Sequence, residues 1–141
     1  MTSKHSVLVP VDGSASALGA LAVACRRARS RRGVRIVVLN VQPAMPSSNF
    51  ASRATIRDHQ QRMAAEVFQK VAVVAKREKV RVQQEMVVGM PAIEIARMAD
   101  TQGVDEIVMG TRGMGGVKGL FMGSVAMKVV HLSKVPVTLV K

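Results

Sequence analysis

Val104-Asp-Glu-Ile-Val-Met109 runs directly into Gly110-Thr-Arg-Gly-Met-Gly-Gly-Val-Lys-Gly-Leu-Phe-Met-Gly123, and that stretch runs into Ser124 to Leu132. The first segment reads as a buried strand and the last as a helix, with six of the chain's eleven glycines between them. Glycine lets a backbone turn tightly and bring its N–H groups against an anion, and a helix N-terminus adds a dipole that favours phosphate. Arg112 and Lys118 supply positive charge, and no acidic residue follows Glu106. Ser124 can cap the helix, donate its hydroxyl to a phosphate, or alternate between the two. Position argues against a plain flexible loop, since ligands in doubly wound sheets bind outside the carboxyl ends of the strands.

Working outward from this loop, the same alternation fills the chain. Val7 to Val11 is a short apolar run closed by Asp12-Gly13-Ser14, which predicts a buried strand and a turn. Leu18, Leu21, Ala22, Cys25 and Ala28 then form one apolar stripe at helical spacing, with Gly33 as the stop. Cys25 lies within the stripe and reads as a small buried hydrophobe. Arg35 to Val41 predicts a second strand, residues 43–52 a loop, and residues 53–79 a long helix with Ile56, Met63, Val67, Val71 and Val74 inward. Val80 to Val88 predicts a third strand. Pro91 suits the first turn of the next helix, whose buried face is Ala92, Ile95, Ala96 and Ala99 and whose stop is Gly103. Val135 to Val140 predicts the fifth strand. Strands alternating with helices imply a parallel α/β sheet covered on both faces, in one domain spanning residues 1–141.

The common phosphate loops do not fit. A Walker A motif needs Gly-x-x-x-x-Gly-Lys-Ser/Thr, and no lysine here sits in that frame. A dinucleotide fingerprint would want glycine at residue 118, where the chain has Lys118, and an acidic residue about 20 positions further on. What remains is Gly110-x-x-Gly113, nine residues, then Gly123-Ser124. That spacing resembles the ATP-binding signature of the universal stress protein family, and Val9-Pro-Val-Asp-Gly-Ser14 resembles its N-terminal signature. Gly89-Met-Pro91, Asp105 to Gly110 and Val135-Pro-Val-Thr-Leu-Val140 extend the likeness over essentially the whole chain.

The resemblance implies a five-stranded, doubly wound, Rossmann-like parallel sheet of order 3-2-1-4-5 that binds ATP. It places Pro10, Asp12 and Gly13 near the adenosine end and Val41 against adenine. Gly110, Thr111, Arg112, Gly113, Met114, Gly115, Gly116, Gly123, Ser124 and Val125 would hold ribose and phosphates. Many members carry His where this chain has Asn40. In that strand order the connection reverses between strands one and four, so the loops with Asp12 and Gly110 meet at the switch point. Asp12 is equally readable as a turn-former bonding its own backbone. A carboxylate beside phosphates would favour a bridging cation, so Mg-ATP is the expected form, with no metal ligand assigned to the protein itself. Members also dimerise through the fifth strand, which implies a homodimer through residues 135–140.

Composition bounds the remaining choices. The 141 residues carry 21 Lys+Arg against 9 Asp+Glu, a formal charge of +12, yet 48% are hydrophobic, which describes a packed protein and not a disordered basic tail. Residues 1–81 hold 15 basic and 4 acidic side chains, so +11 of the charge sits there, densest at Arg26, Arg27, Arg29, Arg31 and Arg32, then Arg35. Right-handed crossovers would place the first two helices, and with them the surplus, on one face. Arginines at a helix C-terminus complement its dipole, and a nucleic-acid partner is the alternative. With no Trp or Tyr and three Phe, platforms for stacking single-stranded bases are nearly absent. One cysteine cannot form an internal disulfide, and the N-terminal apolar run is too short for a signal or membrane segment, so a cytoplasmic protein without membrane insertion is expected. No Gly-x-Ser-x-Gly elbow, paired His/Cys spacing or carboxylate pair marks a catalytic centre, and binding is favoured over turnover.

Overall fold

The computed structural model describes residues 4–49, 51–112 and 122–141. Among the described residues nine elements alternate: β1 His5–Pro10, α1 Ala15–Arg29, β2 Val34–Gln42, α2 Arg53–Glu78, β3 Gln83–Val88, α3 Pro91–Thr101, β4 Glu106–Gly110, α4 Ser124–Leu132 and β5 Val137–Val140. All four strand pairings are parallel, and the order is β3-β2-β1-β4-β5. The expected doubly wound sheet is therefore the observed one.

The apolar strands are continuous because both sheet faces are covered. Period-2 alternation divides each strand between two cores. Val7, Val9, Ile36, Val38 and Val108 face one side, where Ala17, Leu21 and Cys25 of α1 and Val71 and Val74 of α2 cover them. Leu8, Val37, Leu39, Ile107 and Met109 face the other, against Ala92, Ile95 and Ala99 of α3 and Ala126 and Val129 of α4. Each fully buried Leu, Ile or Val contributes roughly 1.5–3 kcal/mol, which is why the central strands anchor the fold. Burial also settles Cys25: desolvation, and secondarily the Glu78 carboxylate, push its thiol up to about 11, so it stays protonated and inert.

Differences from the sequence pattern are confined to element ends and follow from pairing rather than hydrophobicity. β1 begins at His5 because His5 and Ser6 already pair with Val34 and Arg35, and Val11 lies beyond the ladder. α1 stops at Arg29, four residues before Gly33, which turns with φ +77. Val80 and Val82 pack on the first core without a strand partner, so β3 starts at Gln83, opposite Val37. α2 ends at Glu78, with Lys79 in the left-handed region at φ 58. β4 starts at Glu106 and not Val104. β5 starts at Val137, just after Pro136, whose carbonyl accepts from the Ile107 N–H at 2.9 Å.

Candidate functional site

Every helix that follows a strand in this topology begins at the carboxyl end of the sheet, so the N-termini of α1, α3 and α4 gather there. Between them lies a cavity of about 280 Å³. Its walls are apolar: Val11, Leu39, Val41, Ile95, Met109 and Ala126. Its charged lining residues among those described are Asp12 and Arg112. Helix N-termini carry partial positive charge and unpaired N–H groups, so an apolar slot rimmed by three of them suits a ligand with a flat apolar end and an anionic end.

Local chemistry explains each rim. Asp12 accepts the Ser14 N–H on Oδ1 at 3.0 Å, and Ser14 Oγ in turn accepts the Ala17 N–H at 3.2 Å, capping α1. The turn-forming role read for Asp12 is thus present, and its residue also lines the cavity. The far rim is tied to the sheet by backbone bonds: Thr111 N–H donates to Val140 O at 3.1 Å, and Gly123 N–H donates to Thr111 O, which closes the base of the glycine-rich segment. Gly123 occupies the N-cap of α4 and Ser124 is its first helical residue. The capping role considered for Ser124 is therefore not realised, and its exposed hydroxyl stands at the rim.

The structure brings Pro10, Asp12, Val41, Gly110, Thr111, Arg112, Gly123, Ser124 and Val125 together on one lining. Gly13 is the exception. A Cβ there would face Val67 and the Lys70 amine of α2, on the opposite side of the loop, and φ +90 is what requires glycine. Gly113, Met114, Gly115 and Gly116 lie outside the described residues. Asn40 is buried and turned away from the lining. Its Nδ2 donates to Val11 O at 2.9 Å and its Oδ1 accepts from Gln42 at 2.7 Å, so it fastens β2 to the end of β1.

Ser16 went unmarked in the sequence. Its Oγ accepts the Arg112 N–H at 3.3 Å, and a Cβ on Gly110 would lie 2.4 Å from that Oγ and 2.7 Å from the Ser16 carbonyl carbon. Close approach of α1 to β4 is thus the reason for glycine at 110. The apolar walls were findable by parity: Leu39 lies two residues from Val41 on the same strand face, and Ile95 one helical turn after Pro91.

A family profile described as the universal stress protein family matches residues 4–141. The chain belongs to that family. A universal stress protein of Methanocaldococcus jannaschii is 32% identical over 137 residues, which is 96% of this chain and 81% of the relative. One from Thermus aquaticus is 35% identical over 96% of this chain and 98% of its own length. Among solved structures, the universal stress protein of Archaeoglobus fulgidus in complex with dAMP superposes with a TM-score of 0.70 at 24% identity, over 100% of both chains, a likeness of fold. Among the described residues of this universal stress protein, no cluster of three or more His, Cys, Asp or Glu could hold a metal ion, and no helix is long and apolar enough to cross a membrane.

Proposed function

We propose that this universal stress protein binds an adenine nucleotide, ATP in the first place, in the cavity at the β1/β4 switch point. The observation that carries the reading is the meeting of both signature segments on one apolar slot rimmed by three helix N-termini. Proteins of this fold have been solved with dAMP, cAMP and AMP, which supports the adenine part of the assignment. Val41 and Leu39 would flank the base, while Thr111, Arg112, Gly123 and Ser124 would serve ribose and phosphates. Mg²⁺ would arrive bridged through the phosphates, with no ligand assigned to the protein itself.

The protein acts as a cytoplasmic regulatory binding module, with at most slow hydrolysis. Titration calorimetry with Mg-ATP will show saturable binding, and Ser124→Ala will weaken it about tenfold, the worth of one hydrogen bond to a charged group. No heat at high micromolar ATP would overturn the assignment.

Supporting a second element of the reading, β5 is an edge strand whose described partner is β4 alone. Its free edge would pair with β5 of a second copy. Light scattering should then return about twice the chain's 15.1 kDa, and a single-chain mass would end the idea.

A further inference from the structure

We propose that the end of the sheet opposite the cavity is a docking surface for the phosphate backbone of double-stranded nucleic acid. Helices α1 and α2 both finish there, side by side, because each feeds the start of the next parallel strand. The α1 end and its turn carry Arg26, Arg29, Arg31 and Arg32; the α2 end and its connection carry Lys76, Arg77, Lys79 and Arg81. All eight are exposed.

Glu78, buried at the last position of α2, holds the two groups together. It accepts from Arg26 Nε at 3.0 Å, and its carbonyl accepts from Arg29 at 3.1 Å. That is the one carboxylate spent on these eight cations among the described residues. Arg27 and Arg35, which the sequence pattern grouped with them, are otherwise engaged. Arg27 meets Glu106 at 3.2 Å, and Arg35 reaches through to Ser6 Oγ and to the Gln102 carbonyl, on the α3 side of the sheet. Eight of the fifteen cations of residues 1–81 are therefore gathered at one end, while Arg53, Arg57, Arg62 and Lys70 stand exposed along the rest of α2.

Fold stability does not account for it. Two helix C-termini present together about one negative charge, and Glu78 adds another, so eight cations exceed local demand by roughly six. Packing six arginines and two lysines at this spacing costs self-repulsion in the folded state, which a polyanion would relieve.

Chemistry selects the polyanion. Arginine predominates six to two, and its planar fork matches phosphate oxygens bidentately. An anionic membrane would favour apolar side chains beside the cations, yet the exposed large apolar residue described on α1 and α2 is Val73 alone. A single strand would favour aromatic platforms, and Phe68, the aromatic residue among those described, packs on the core. A double-stranded backbone, contacted without regard to sequence, fits what is left.

The test is fluorescence anisotropy of the full chain with two 20-base-pair DNA duplexes of unrelated sequence, between 50 and 200 mM KCl. Neutralising four to five phosphates predicts equal affinities for both duplexes and a loss of roughly 250-fold across that salt range, a log–log slope of about −4. The variant Arg31→Gln/Arg32→Gln/Arg77→Gln/Lys79→Gln, all at exposed positions, should flatten the slope by three or more. Arg53→Gln/Arg57→Gln, at exposed positions of the opposite end of α2, should leave it in place. Undetectable binding at 50 mM, a salt-independent affinity, or equal flattening by the Arg53/Arg57 variant would each overturn the proposal. So would tighter capture by vesicles of 30% phosphatidylserine in phosphatidylcholine than by either duplex at 150 mM KCl.

Discussion

At Gly110, where β4 ends, the chain is held by backbone groups and hydroxyls; at Glu106, where the same strand begins, it is held by charges. The far end depends on the Ser16 hydroxyl, the Thr111 amide and the absence of a Cβ, beside a cavity whose described lining holds one acid and one base. The near end is ionic. Glu106 Oε1 meets His5 at 3.1 Å and Arg27 at 3.2 Å, Oε2 accepts from Thr138 at 3.3 Å, and the neighbouring Asp105 accepts the Ser6 N–H at 2.7 Å. Four residue steps of strand, roughly 13 Å at 3.3 Å each, separate these two constructions. An end that must accept an anion keeps N–H groups and small residues forward. The end that joins helix C-termini to strand starts uses side-chain charge instead.

Gly110→Ala attacks that difference most directly. The new Cβ would lie against the main chain of Ser16 at 2.7 Å, so α1 and β4 would have to separate. Overpacking of this kind costs about 3 kcal/mol. Urea unfolding should show that loss, and calorimetry should show Mg-ATP binding weakened by more than tenfold, because the rim residues Thr111 and Arg112 move with the strand end. A stable variant with unchanged ATP affinity would mean that the cavity does not depend on this close approach.

The alternation of buried strands with amphipathic helices was legible because it depends on order along the chain alone. Strand order, and with it the meeting of the two signature loops, followed from the family resemblance carried by Val9 to Ser14 and Gly110 to Ser124, not from the apolar pattern. Contacts between residues far apart in sequence were not legible. Ser16 to Arg112, Arg26 to Glu78 and His5 to Glu106 are separated by 96, 52 and 101 positions, and each involves residue types that are ordinary on a surface. His5 reads as an isolated histidine until β1 and β4 are laid side by side. Glu78 ends a helix half of whose exposed residues are charged, and its burial becomes visible only when α1 is packed beside α2. Strand starts were misplaced for a related reason: Val80 and Val104 are apolar because they cover the core, and apolarity alone does not report a ladder partner.

Glu106→Ala makes the complementary cut at the start of β4. It removes the acceptor shared by His5, Arg27 and the Thr138 hydroxyl. Arg27 and His5 are partly exposed and recover water, which keeps the cost near the low end for a lost charged hydrogen-bond acceptor, about 2 kcal/mol. Glu106→Gln, which retains one carbonyl oxygen and so an acceptor for either Arg27 or Thr138 but not both, should cost about half as much. Because the apolar core of β4 lies between Glu106 and the cavity, both variants should bind Mg-ATP within twofold of the unmodified chain. Parallel urea and calorimetric titrations would separate the outcomes. A stability loss with unchanged ATP affinity would establish that the ionic end supports the strand without shaping the cavity, whereas a matched fall in both would show that β4 transmits strain along its whole length and that the two ends are one unit.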